Sequence, residues 1–313
     1  MSARVTPHDA EQPINVFPRL ILPDVSRIFL DQSKRFGEIA QKHSLAEWLS
    51  FLSRLTSIQH ELLQEYPLFP LPDQPVPASD EECSVAPIAH AFRPRNPSWR
   101  QALATLAREL EPHATLPTRP ILKGLQEMDS STLEALADRV LQVELGSGET
   151  GSLPFVAAAL QVHWTALASR LDGTKVGPSA SPNVCPCCGF APVASLVRTD
   201  GETARLRYLH CALCNTEWHM VRAICTTCFD SNRLASYHID GSDTSVRAET
   251  CDACGSYLKV LYREKSPQAD PVADDLSTLA LDLLVEEAGY GRMSTNLLFA
   301  PFLDAGSDTK VNL

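Results

Sequence analysis

Cys185-Pro186-Cys187-Cys188-Gly189, Cys211-Ala212-Leu213-Cys214, Cys225-Thr226-Thr227-Cys228 and Cys251-Asp252-Ala253-Cys254 decide how this chain is read. Each has C-x-x-C spacing, which sets two thiolates on one side of a tight knuckle. Adding 40 to each number carries the first pair onto the third and the second onto the fourth. The same offset carries Asp200-Gly201 onto Asp240-Gly241 and Arg207 onto Arg247. A constant offset that moves ligands, turn and basic residue together is the mark of a duplicated unit.

Each copy reads as knuckle, strand, Asp-Gly turn, strand, knuckle, strand. Asp-Gly between β-prone residues favours the type I′ hairpin turn, which needs positive φ. Two knuckles facing one another close a tetrahedral site of four sulfurs, suited to zinc or a single iron. The expected ligands are Cys185, Cys188, Cys211 and Cys214 in one site, and Cys225, Cys228, Cys251 and Cys254 in the other. A unit this small buries too little surface to fold on its core alone, so metal is expected to supply much of its stability. Sharing of one ion between Cys211/Cys214 and Cys225/Cys228 is the other pairing, and the duplication favours one ion per unit. Cys187 maps onto Thr227 and is therefore the non-ligand. The residue after the second cysteine of a knuckle is best left-handed. Gly189 and Gly255 suit that position and Asn215 tolerates it, whereas Phe229 predicts a less regular knuckle.

Working outward, residues 1–175 read as helical. Ser44-Leu45-Ala46-Glu47 and Ser131-Thr132-Leu133-Glu134 have the capping-box pattern, each followed by an apolar helical stripe. Further helices are expected over Val25–Lys42, Trp99–Leu110 and Leu153–Leu171, together an antiparallel bundle. Eight prolines within 67–97 deny helix there and read as a long surface connection. Gly173–Asn183 reads as a linker, and Val272–Glu287 as a last helix with Leu276, Leu279, Ala280, Leu283 and Leu284 on one face. The expected fold class is multidomain α+β: an N-terminal all-α domain (1–175), two tandem zinc-ribbon-like four-Cys modules (184–224 and 225–264), and a C-terminal helix and tail (265–313).

The chain has 313 residues and a formal charge of −11, which repels phosphate backbones. Residues 185–264 hold eight Lys/Arg against nine Asp/Glu, so the ribbons carry no basic footprint for nucleic acid. The first residues have no apolar stretch of a secretory signal, and no apolar run is long enough to span a membrane; a cytoplasmic protein is expected. Nine of the ten cysteines cluster between 185 and 254, which in such a setting favours metal ligation over disulfides. Four C-x-x-C copies in a β-prone duplication are also unlike the single helix-start motif of thioredoxin-type redox proteins. No GxSxG, GxGxxG, HExxH or P-loop is present, and four thiolates leave a metal no open position, so no enzyme is expected.

Other residues carry weaker signals. Tyr208, Trp218, His219 and Arg222 surround the second knuckle and form a candidate partner-binding set, against the alternative that Trp218 packs between the units and His210 is merely solvated. His219 is also a candidate donor to a cysteine sulfur. His163, beside Trp164 in a helical stretch, reads as a core histidine, and Cys83 as a bystander thiol.

With these motifs in hand the sequence closely resembles the FdhE family, accessory proteins for formate dehydrogenase. The resemblance rests on the four knuckles, on Leu206-Arg207-Tyr208-Leu209-His210, Thr216-Glu217-Trp218-His219 and Tyr257-Leu258-Lys259, and extends through Val272-Ala273-Asp274-Asp275-Leu276 and Glu287-Ala288-Gly289-Tyr290. It implies a cytoplasmic maturation factor, or assembly chaperone, that binds the catalytic subunit of formate dehydrogenase before export. It also implies iron in two rubredoxin-like sites, where spacing alone suggests zinc. A rubredoxin-like electron carrier is the alternative function, and a homodimer stays open.

Overall fold

The computed structural model describes residues 17–67, 71, 85–91, 95–144, 151–200, 204–241 and 244–299. Cys83 and residues 300–313 of the expected tail lie outside them. The first half is helical: α1 (Ile28–Ala40), α2 (Ala46–Gln64), α3 (Ser98–Leu110), α4 (Arg119–Glu127), α5 (Ser130–Leu141) and α6 (Leu153–Ala168). Thirteen of the sixteen residues of α6 are buried. A helix apolar on every side has to be surrounded, and α6 packs on α2, α3 and α5.

The capping boxes resolve differently from their pattern. Ser44 caps nothing: α2 starts after Leu45 without a side-chain cap, and the Leu45 N–H donates to His43 Nδ1. At α5 the cap is Asp129, whose carboxylate accepts from the N–H groups of Ser131 and Thr132 at 2.9 and 3.1 Å. A carboxylate at the helix start offers a charged acceptor that the Ser131 hydroxyl cannot match. Glu134 is drawn instead to Arg95, Trp99 and Arg100. Helix α4 was not anticipated, because Pro120 and Gly124 break its propensity; Pro120 sits harmlessly in its first turn.

The second half is one mixed sheet. After β1 (Leu20–Ile21) come β2 (Pro192–Asp200), β3 (Ala204–Cys211) and β4 (Glu217–Met220) of the first ribbon, then β5 (Leu234–Tyr237), β6 (Val246–Cys251) and β7 (Ser256–Tyr262) of the second. The strand order is β1-β4-β3-β2-β7-β6-β5, with β8 (Gly291–Arg292) also paired to β7. Each ribbon is an antiparallel three-stranded unit, as the repeat requires. The two are fused by parallel pairing of β2 with β7, with Ser195, Leu196 and Val197 opposite Val260, Leu261 and Tyr262. Gly201 lies outside the described residues. In the second ribbon Asp240-Gly241 is no two-residue turn: residues 238–245 separate β5 from β6, and among the described residues of that segment Gly241 is left-handed, at φ +79°.

Two connections bury more than their composition suggests, and the last expected helix is broken. Within the Pro-rich stretch, Ile88 and Ala89 are buried and the Trp164 indole donates to the Ile88 carbonyl. In the linker Val176 is buried and Arg19 donates to its carbonyl. The expected helix over Val272–Glu287 is two, α7 (Ala273–Ser277) and α8 (Leu279–Glu287), broken at Thr278. The break shifts the phase: Leu276, Leu281 and Val285 face inward while Ala280, Leu283 and Leu284 are exposed. Buried charge explains the break. Lys259 Nζ, on β7, donates to the Asp275 and Thr278 carbonyls and meets Asp282 Oδ2 at 2.5 Å, and Arg292 pairs with both Asp275 and Asp282. Carbonyls turned toward an ammonium are unavailable to continue one straight helix.

One apolar core runs from the six helices through Cys185–Cys214 to Leu276 and Leu298, so helices and first ribbon share an interior.

Candidate metal centres

The duplicated chain closes two separate sulfur clusters, one per repeat: Cys185, Cys188, Cys211 and Cys214; and Cys225, Cys228, Cys251 and Cys254. In the first, Cys185 Sγ lies 3.5 Å from Cys214 Sγ and Cys188 Sγ lies 3.4 Å from Cys211 Sγ. In the second both equivalent pairs are 3.7 Å apart. A tetrahedron of ~2.3 Å metal–sulfur bonds has edges of about 3.8 Å, so both clusters fit one ion each. Cys187 belongs to neither cluster.

The local backbone explains the fit. In the first knuckle the Cys185 N–H donates to the Phe190 carbonyl and the Gly189 N–H to the Cys185 carbonyl. Cys225, Phe229 and Asp230 repeat this arrangement at the same offset. The residue after each second cysteine is left-handed in all four knuckles: Gly189 at φ +76°, Asn215 at +58°, Phe229 at +63° and Gly255 at +67°. The expected irregularity at Phe229 is therefore absent; the turn is kept and the phenylalanine accepts the strained backbone.

Turned this way, the knuckles aim donors at sulfur. The N–H groups of Leu213 and Cys214 each approach Cys211 Sγ at 3.4 Å, and those of Thr227 and Cys228 approach Cys225 Sγ at 3.3 and 3.5 Å. A hydroxyl stands beside the last cysteine in each repeat: Thr216 Oγ1 is 3.2 Å from Cys214 Sγ, and Ser256 Oγ is 3.0 Å from Cys254 Sγ. The N–H donors stabilise thiolate charge, whereas Thr216 Oγ1 accepts from the Cys214 thiol and Ser256 Oγ donates to Thr227 Oγ1.

Electrostatics also call for a cation. Burial pushes the Cys185 thiol up, but hydrogen bonds from neighbouring thiols outweigh it and hold it well below its usual range. Burial and neighbouring sulfurs hold Cys188 and Cys211 well above theirs. In the second cluster burial also raises the Cys225 thiol, yet the Cys228 and Thr227 N–H groups help bring it down to about 7, while Cys228 is pushed up to about 12. Packed sulfurs thus resist ionising together, and a positive ion among them relieves that resistance.

The two clusters sit in unlike surroundings. All four sulfurs of the first are wholly buried. The Cys187 and Cys188 carbonyls accept from the N–H groups of Ile88 and His90, and His90 Nδ1 also meets the Cys188 carbonyl, at 2.7 Å. From α6, Gln161 donates to the Ala212 carbonyl at 2.8 Å, and Thr165 Oγ1 accepts from Asn215 Nδ2 at 2.9 Å. Behind them His210 bridges Asn215 and Glu217, and Glu217 pairs with Arg198 at 2.5 Å. The Glu217 carboxyl, raised by burial but lowered more by His210 and Arg198, falls to about 2. In the second cluster Cys225 and Cys251 are buried while Cys228 and Cys254 are exposed.

The supporting residues around the first cluster were missed at the sequence level. Gln161 and Thr165 give a signal, two polar residues one turn apart in a helix that, His163 aside, is almost wholly apolar. His210, taken as the solvated alternative, is 1% exposed. Of the four candidate partner-binding residues, Tyr208 and Trp218 are buried inside the chain. Tyr208 donates to the Pro18 carbonyl and Trp218 to the Pro182 carbonyl. Strand β1 covers β4, so these rings serve intramolecular packing at the far edge of the sheet, not between the ribbons. His219 and Arg222 are exposed; the His219 ring stands against Tyr208, not against a sulfur. His163 is buried as expected, hydrogen-bonded to Tyr66, and burial first and Arg95 second lower it to about 4.

Comparison with known proteins agrees with this anatomy. Residues 17–181 match the family description FdhE, N-terminal; residues 184–222 match FdhE, central domain; and residues 223–299 match FdhE, C-terminal domain. A "Protein FdhE homolog" of Edwardsiella ictaluri is 38% identical over 288 residues, 92% of each chain. A "Protein FdhE" of Escherichia coli is 33% identical over 98% of this chain and 99% of its own. The crystal structure of the FdhE protein from Pseudomonas aeruginosa superposes with a TM-score of 0.80 at 33% identity, covering 91% of this chain and 99% of that one. With helical part, both ribbons and C-terminal segment all matched, the chain belongs to the FdhE family.

Proposed function

We propose that this protein is an accessory factor for formate dehydrogenase that binds the enzyme's catalytic subunit in the cytoplasm and assists its maturation. The observation that carries the reading is family membership along nearly the whole chain. In this reading the eight cysteines hold two ions, iron by family resemblance and zinc as the alternative. Each ion takes four sulfurs, which leaves no open position for substrate and favours a binding role over catalysis. The working division is a helical domain over 1–175, ribbons at 184–224 and 225–264, and a C-terminal segment over 265–313. Among the described residues no helix is long and apolar enough to cross a membrane. His219 and Arg222, exposed on the first ribbon, remain candidates for the partner surface.

The test is retention of the formate dehydrogenase catalytic subunit by the tagged, metal-loaded chain. Specific retention supports the reading; a folded, metal-loaded chain that never retains the subunit overturns it. The exposed Cys228 and Cys254 favour one second reading, a rubredoxin-like electron carrier. That reading requires iron and a reversible one-electron couple in a redox titration of protein prepared without oxygen.

A further inference from the structure

We infer that the two metal centres are kinetically unequal: the first is a sealed, permanent structural centre, and the second exchanges its ion through Cys228 and Cys254 with metal-chelating ligands in solution. The inference rests on the reading that each cysteine cluster holds a metal ion, and it is independent of which protein the chain serves.

Ligand exchange at a four-thiolate site requires an incoming donor to reach the ion as one protein thiolate leaves. Both events need a path from solvent to sulfur. The first cluster offers none. Its four sulfurs are wholly buried, residues 85–91 lie across the Cys187–Cys188 knuckle, and α6 holds the facing knuckle through Gln161 and Thr165. Opening it means breaking the core that the helices share with the first ribbon.

The second cluster is open on one side. Cys228 and Cys254, the last cysteine of each knuckle, are exposed together with Thr227, Phe229, Asp252 and Ala253 at the knuckle tips. Cys225 and Cys251 face inward. Among the described residues no helix of the N-terminal half makes more than minor contact with β5, β6 or β7, and only Val246, Leu258 and Leu261 of these strands join the common core, away from the knuckle tips. Phe229 holds a left-handed backbone at φ +63°, so the outer knuckle carries strain that the Gly189 knuckle lacks. The exchange step balances without redox chemistry. An incoming chelator donor atom forms a bond to the ion, the bond to Cys228 or Cys254 breaks, and the freed thiolate takes a proton from solvent.

The full chain loaded with two zinc ions, treated with the chromogenic chelator pyridylazoresorcinol and with iodoacetamide, tests this. The expected result is biphasic release: one ion at least about tenfold faster than the other, with Cys228 and Cys254 alkylated during the fast phase and Cys185, Cys188, Cys211 and Cys214 protected until the slow one. Peptide mass mapping makes the assignment without any variant. In support, Cys228→Ser should abolish the fast phase and leave the slow one. Equal release rates, or alkylation of the first cluster in the fast phase, would overturn the inference. Neither outcome bears on retention of the catalytic subunit.

Discussion

The Arg207 guanidinium of β3 lies 2.9 Å from the Glu249 carboxylate of β6, so a buried side chain of the first ribbon is neutralised by the second. Arg207 also donates to Ser195 Oγ, the Ile224 carbonyl and Thr226 Oγ1, spanning β2 and the segment that joins the repeats. Its counterpart Arg247 lies over the Tyr262 ring, 5.2 Å from its centroid. Duplication therefore kept the residue while changing its task.

Arg207→Ala leaves Glu249 without its buried partner and three acceptors without a donor. The expected loss is about 3 kcal/mol, at the lower end for a broken buried pair because Glu249 keeps some solvent. Urea denaturation of the metal-loaded chain measures it. A loss below about 1 kcal/mol would show that the ribbons do not depend on this bridge.

Cys185→Ala and Cys251→Ala are expected to differ in reach. The first removes a ligand from within the common core and should lower the stability of helices and sheet together; the second, whose ribbon reaches that core only through Val246, Leu258 and Leu261, should loosen mainly the second ribbon. Far-ultraviolet circular dichroism separates the two. Equal loss of helical signal in both variants contradicts the expectation.

Gly255→Ala isolates the backbone requirement. A Cβ at Gly255 meets nothing within 4 Å, so steric collision is excluded and only the φ of +67° opposes the substitution. The expected cost is about 1 kcal/mol. No measurable change in thermal midpoint would mean that the knuckle tolerates alanine as it does Phe229.

The buried His163 predicts acid sensitivity with a definite sign. Its folded pKa of about 4 lies below the ordinary 6.5, so unfolded chains take up a proton first as pH falls. Stability from this group is complete above pH 6.5 and falls as pH drops toward 4, by on the order of 3 kcal/mol at most. His163→Gln should flatten that part of the profile. An unchanged slope between pH 6.5 and 4.5 would assign the sensitivity to other groups.

The sulfur sites were legible in the sequence because their constraints are local. C-x-x-C spacing depends on a few adjacent positions and the constant offset repeats it, and the clusters close as that logic requires, although the turn tolerates Phe229 where the sequence argued for a small residue. Helices with long apolar stripes, such as α3 and α6, were legible for the same reason. What escaped depends on distant partners. Tyr208 and Trp218 read either as exposed anchors or, for Trp218, as packing between the ribbons, because nothing nearby shows that residues 17–21 return to cover β4. The break at Thr278 follows from Lys259, nineteen residues earlier in sequence. The parallel β2–β7 join has no local sequence pattern, since it brings together strands more than fifty residues apart with Ser195–Val197 opposite Val260–Tyr262.

The strap formed by residues 85–91 across the first knuckle sets an order of events during synthesis. Helix α6 and the strap emerge well before Cys211 and Cys214, yet Gln161, Thr165 and Ile88 find their partners only on the finished knuckles. Until then the nascent helical half carries an uncovered apolar flank. Without the ion the helical half therefore lacks the surface that closes its apolar flank, so metal binding at the first site and consolidation of the helices are one event rather than two.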